Sequence, residues 1–194
     1  MNQKVGIIKE TSRGIERYSI EEDLLRERKI FLLEEVNPVS SAVLIQQLMY
    51  LEKESPEQEI TLYINSPGGE VVSGMTVYDY MIGMSTPIRT VCIGYAASMG
   101  SILFLAGEKR EMLPHTQVMI HDPYQTGGMD GRKPDEIEEQ LNKLKRVRDI
   151  ISKVIVERTG RSMEEVREKM KTDSYFDATE AIAFGLATGI VNRM

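Results

Sequence analysis

Short apolar runs alternate along this chain with longer stretches whose apolar residues recur every three or four positions. Ile30-Phe31-Leu32-Leu33 reads as a short buried strand, the alternating stretch Glu59 to Asn65 as a second, and Ile88 to Ile93 as a third. Asn37-Pro38 is a helix start, a cap residue followed by proline at the first helical position. The helix it opens runs to about Lys53, with Val43, Leu44, Gln47, Leu48 and Leu51 along one face. A second helix spans Glu70 to Met84 and is broken by Pro87. After the third strand comes a corner of small residues and a short helix to Ala106. Glu111 to Leu113 and Gln117 to Ile120 follow as strands separated by Pro114. Strand and helix in succession predict an α/β fold with mostly parallel pairing.

The two ends read differently. Residues 1 to about 18 hold Gly6, Gly14 and short apolar pieces, and are expected to form an arm or loop. Asp23 to Lys29 is charged, a short helix or turn. From Tyr124 onward the character changes: Thr126 to Gly131 has the composition of a flexible segment, and Pro134 to Arg158 is one long charged helix. Its apolar stripe runs through Ile137, Leu141, Leu144, Val147, Ile151, Val154 and Ile155. Such a helix is roughly 37 Å long, more than a small core requires, so the stripe packs either on a partner or across its own domain. Ser162 with Glu165 forms a capping box for the next helix, and a last short helix, Ala178 to Phe184, stops at Gly185.

Composition narrows the function classes. With 194 residues the chain fits a single domain, residues 1–194. A net charge of −6, with both signs mixed along the sequence, argues against a nucleic-acid partner. No apolar run approaches membrane-spanning length and the N-terminus lacks a signal-peptide core, so no membrane partner and a cytoplasmic location are expected. Cys92 is the only cysteine, and His115 and His121 are the only histidines, which leaves little for a metal site. The expectation is no metal and no organic cofactor.

Three residues that could carry chemistry stand near strand ends. Ser98 sits in Gly94-Tyr95-Ala96-Ala97-Ser98-Met99-Gly100, a small-residue corner between two apolar runs. Such a corner can present a hydroxyl beside free backbone N–H groups. His121 ends a strand in Met119-Ile120-His121-Asp122-Pro123, and Asp173 lies on a loop after the Ser162 helix. A serine nucleophile needs a base, and the imidazole needs an acceptor on its other nitrogen. Taken singly, each has an ordinary explanation: a helix cap, a strand-end histidine and an exposed acid. Ser66-Pro67-Gly68-Gly69 adds a turn whose N–H groups suit an oxyanion or a phosphate, without the Lys-Ser/Thr ending of a nucleotide loop.

Read together, Asn65 to Gly69, Thr90 to Gly100 and Arg110 to Pro123 resemble the ClpP family, the proteolytic subunits of Clp proteases. The likeness runs from Thr11-Ser12-Arg13-Gly14 to Gly185-Leu186. It implies a crotonase-like fold of repeated β-β-α units, with residues of about 124–158 as a projecting handle and about 1–18 as an axial loop. It implies a serine endopeptidase with Ser98 as nucleophile, His121 as general base and acid, and Asp173 as orienting carboxylate. The N–H groups of Gly69 and Met99 match the oxyanion positions. Asp177 competes for the carboxylate role. Heptameric rings stacked as a tetradecamer would enclose a chamber, fed with unfolded proteins by an AAA+ unfoldase of the ClpX, ClpA or ClpC type. ATP is used by that partner. Tyr63 and Val91 to Ile93 lie where the family docks its ATPase.

The sequence also departs from the family pattern. Asp122 replaces the usual glutamine after the histidine, Ser174 the usual arginine after the aspartate, and Thr61 an aromatic residue often found two positions before Tyr63. These changes bear on ring stacking, ATPase choice and activity as a homo-oligomer. They motivate a rival reading, a weakly active or silent subunit that assembles with a paralogue in mixed rings. A non-peptidase of the crotonase fold acting on acyl-CoA is a further rival.

Overall fold

A computed structural model describes residues 6–11, 14–124, 131 and 133–191. The chain enters as an antiparallel hairpin, β1 (Gly6–Thr11) and β2 (Gly14–Ser19), in register from Gly6 with Ser19 to Thr11 with Gly14. An arm or loop was expected here. The hairpin escapes a pattern reading because it has almost no buried face: Ile8 and Ile15 are 66% and 70% exposed, and among its described residues only Tyr18 is buried. Residues 1–5 and 12–13 of the expected axial loop, and 126–130 of the glycine-rich segment, lie outside the described residues. Helix α1 (Ile20–Arg26) starts three residues earlier than the charge pattern suggests. Ser19 caps it, accepting from the Glu22 N–H at 3.1 Å, while the Glu22 carboxylate accepts from the Ser19 N–H at 2.6 Å.

Strand β3 (Lys29–Leu32) leads to α2 (Pro38–Glu54), where Asn37 Oδ1 accepts from the N–H groups of Val39 and Ser40. Leu44, Leu48 and Leu51 of α2 are buried, but Val43, expected on the same face, points outward at 47% exposure. Strand β4 (Ile60–Ser66) buries Ile60, Leu62 and Ile64 completely and leaves the alternate residues half-buried. Helix α3 (Val71–Gly83) follows, then β5 (Ile88–Ala97), which is four residues longer than its apolar run. Helix α4 (Met99–Leu105) is buried along its whole length, packed between α3, α5 (Pro134–Thr159) and the sheet. Strands β6 (Lys109–Met112) and β7 (Gln117–Ile120) complete the first half.

Only the last third of α5 is buried, at Ile151, Ser152, Val154 and Ile155. Its earlier part projects, with Leu141 46% and Ile150 50% exposed. The long helix therefore does not lie across its own domain. Helix α6 (Met163–Met170), strand β8 (Ser174–Phe176), helix α7 (Ala178–Phe184) and strand β9 (Gly189–Ile190) finish the chain. The main sheet has seven strands, in the order β3-β4-β5-β6-β9, with β7 on β5 and β8 on β7. All its pairings are parallel except β7 with β8.

Two arginines close the helix ends over this sheet. Arg110 in β6 is buried, and its guanidinium donates to the carbonyls of Gly107, Arg158, Gly185 and Leu186. Arg158 donates to Leu105 at 2.8 Å and to Gly107 at 2.6 Å. These carbonyls lie at or just beyond the ends of α4, α5 and α7, where no intrahelical N–H remains for them. Burial, and then the neighbouring Arg158, lower the Arg110 pKa from its ordinary value. Arg110→Met should leave several of the carbonyls unpaired at a cost of about 3 kcal/mol, lowering the melting temperature by roughly 6–12 °C. Calorimetry showing a change of under about 2 °C would contradict the role given to this side chain.

Candidate active site

At the end of β5 the backbone turns through Ser98, whose φ of 54° and ψ of −123° are strained for a non-glycine residue. The corner is held from both sides. The Ser98 N–H donates to the Met119 carbonyl at 2.9 Å, and its own carbonyl accepts from the Ser101 N–H at 3.0 Å. Small residues are required because chain segments touch there. A Cβ on Gly68 would stand 2.6 Å from both the Ala97 carbonyl oxygen and Ser98 Cβ, and Gly68 adopts a φ of 92°. The Ser98 side chain does not cap α4. Its hydroxyl has another partner.

That partner follows from strand register. Parallel pairing of β5 with β7 sets Ala97 beside Met119, so the residues just beyond, Ser98 and His121, converge at one sheet end. His121 Nε2 lies 2.9 Å from Ser98 Oγ. With the proton on Nδ1, Nε2 accepts from the serine hydroxyl. Antiparallel pairing of β7 with β8 sets Ile120 opposite Ser174, and one further step brings Asp173 opposite His121. Asp173 Oδ1 is 3.6 Å from His121 Nδ1, beyond hydrogen-bond length. The imidazole is 11% exposed and the carboxylate 60%. Asp177, the competitor, is engaged elsewhere: it caps α7, accepting from the Glu180 N–H at 2.8 Å.

Gly69 and Met99 face the same space. Val36 donates to the Gly68 carbonyl at 2.7 Å and accepts from the Glu70 N–H at 2.8 Å, which leaves the Gly69 N–H on the opposite edge of this bridge. Among the described residues, neither the Gly69 nor the Met99 N–H makes a hydrogen bond. Both residues line a cavity of about 810 Å³ together with Ser98, His121 and Asp173. A hydroxyl, an imidazole, a carboxylate and two free N–H groups around one cavity can attack a carbonyl and hold the charge that develops on its oxygen.

The sequence matches the family model described as Clp protease over residues 12–194. The chain belongs to the Clp protease family. It is a ClpP-type peptidase, a hydrolase of proteolysis, and its mixed α/β architecture with a mostly parallel sheet is that of a ClpP-like fold. Among the described residues, no helix is long and apolar enough to cross a membrane.

Three cavity residues of this Clp protease, Tyr124, Glu35 and Glu70, were not singled out in the sequence for chemistry. Tyr124 places its ring 5.5 Å from that of His121 and lines the cavity, as do Glu35 and Glu70. The signal for Glu70 was available, since it directly follows the Gly68-Gly69 turn, but Glu35 comes near only through the Val36–Gly69 bridge. The Asp122 N–H donates to the Met170 carbonyl at 2.7 Å, while its buried Oδ1 has no hydrogen-bond partner among the described residues. Ser174, standing at the family's arginine position, donates to the Lys169 carbonyl at 2.7 Å. One expectation needs correction: Val91 and Cys92 are wholly buried, so of Val91 to Ile93 only Ile93 keeps any surface for a partner. Gly68→Ala should displace the Ser98 corner and cut peptide cleavage by more than about a hundredfold, the scale of losing one oxyanion donor. Parent-like turnover in that variant would show that the close approach is dispensable.

Proposed function

We propose that this protein is a serine endopeptidase that cleaves unfolded polypeptides inside a ring-shaped chamber, with Ser98 as nucleophile. The observation that carries the reading is the 2.9 Å contact between Ser98 Oγ and His121 Nε2. His121 takes the hydroxyl proton as Ser98 attacks the scissile carbonyl, and returns a proton to the leaving amine. Asp173 faces Nδ1–H and stabilises the imidazolium. The N–H groups of Gly69 and Met99 hold the oxyanion of the tetrahedral intermediate. Water, activated by the same imidazole, then releases the acyl product.

Access supplies the control in this reading. Heptameric rings stack as a tetradecamer, with the projecting part of α5 as the contact between rings. An AAA+ unfoldase of the ClpX, ClpA or ClpC type threads substrate in and uses ATP, and the peptidase subunit itself needs no metal or organic cofactor. The half-buried Phe31–Tyr63 stack, with centroids 5.1 Å apart, together with Ile93, supports a docking place for that partner. The protein works in the cytoplasm.

A second reading has one observation in its favour. At 3.6 Å the His121–Asp173 pair is not hydrogen-bonded and the carboxylate is largely exposed. That supports a subunit nearly silent alone, whose triad tightens when it assembles with a paralogue. A fluorophosphonate probe separates the two: labelling of Ser98 in the pure protein favours the first, and labelling only after a paralogue is added favours the second.

Ser98→Ala should abolish cleavage of a small fluorogenic peptide while the rings still assemble, and unchanged cleavage would sink the mechanism. Asp173→Asn should lower kcat by about a hundredfold or more with little change in KM. A loss under about threefold would remove the carboxylate from the mechanism.

A further inference from the structure

The cavity around Ser98 carries a charge that the proposed chemistry does not use. Its ionisable lining beyond His121, Asp173 and the Tyr124 phenol consists of two carboxylates, Glu35 and Glu70, and neither lysine nor arginine lines it among the described residues. The glutamates flank the Val36–Gly69 bridge, one preceding Val36 and the other following Gly69. Glu35 packs directly on the glycine, for a Cβ at Gly69 would stand 2.8 Å from Glu35 Cγ. Its carboxylate makes no hydrogen bond or ion pair among the described residues. Glu70 is steadied by the Ser73 hydroxyl, which donates to its Oε2 and leaves Oε1 without a partner among the described residues. Both residues are exposed, and among the described residues neither is paired with a cation.

We propose that Glu35 and Glu70 select substrates with a lysine or arginine within one or two residues of the scissile bond. The proposal rests on the reading of Ser98 as nucleophile, because it is the cavity position relative to Ser98 and Gly69 that makes these carboxylates neighbours of the bond being cut. A cationic side chain reaching the Gly69 wall meets two carboxylates, whereas an acidic one meets only like charge. Their partial exposure keeps each contribution modest, so the pair together gives a preference of about threefold to tenfold. Screening should reduce it further as salt is raised.

The test uses the assembled full-length protein and a series of fluorogenic peptides that differ only in lysine, norleucine or glutamate next to the scissile bond. The same peptides, labelled and uncleaved, are titrated by fluorescence anisotropy against the Ser98→Ala form, so that the result does not depend on turnover. The lysine peptide should bind and be cleaved about threefold to tenfold better than the norleucine peptide, and the glutamate peptide worse. The lysine advantage should vanish in Glu35→Gln/Glu70→Gln, and should shrink between about 50 and 500 mM salt. Equal handling of lysine and norleucine, or an advantage that survives the double substitution, overturns this inference and leaves the serine peptidase reading standing. Failure of every peptide in the series to bind or be cut overturns both.

Discussion

The site depends on strand β7, four residues that pair with different neighbours on their two edges. One edge runs parallel to the end of β5 and delivers Ser98. The other runs antiparallel to β8 and delivers Asp173. His121, the first residue beyond the strand, is brought to both by backbone hydrogen bonds alone. Strand pairing fixes positions to a fraction of a residue, and a one-residue slip would reverse every side chain. The approach of Ser98, His121 and Asp173 to one another is therefore set first by the register of the sheet.

The second constraint is close packing of backbone at the corner. Ser98 is held at a positive φ, an unfavourable conformation that persists because Met119, Ser101 and the Gly68 segment enclose it. That geometry turns the hydroxyl away from α4 and toward the imidazole, and leaves the Met99 N–H unpaired beside it. The Gly69 N–H is left unpaired by a different device, the bridge to Val36. Two unrelated pieces of backbone thus present donors to one cavity, with their orientation settled by the fold.

The sequence carried much of this in strong local signals. Asn37-Pro38, the Ser162–Glu165 box and Gly185 mark helix ends by cap chemistry, and the structure has those ends within a residue. Ser98 and His121 each had an ordinary explanation taken singly, and it was the resemblance to a family that set them together as candidate nucleophile and base. Asp173 was a candidate from its place on a loop, but its pairing with His121 came only through resemblance to a family, since Ser174–Phe176 is too short a strand to show a period and its pairing with β7 is non-local. The hairpin of Gly6–Thr11 and Gly14–Ser19 was missed because, among its described residues, its alternation has almost no buried side. Glu35 was invisible for another reason: its place in the cavity comes from a bridge between segments over thirty residues apart.

The most direct test of the central claim is a crystal structure of the assembled protein with a peptide boronate, which forms a tetrahedral adduct with a serine nucleophile. The account predicts boron bonded to Ser98 Oγ, one boronate oxygen within about 2.7–3.1 Å of the N–H groups of both Gly69 and Met99, and His121 Nε2 against the adduct. An adduct on another residue, or an oxygen turned away from both N–H groups, would contradict it.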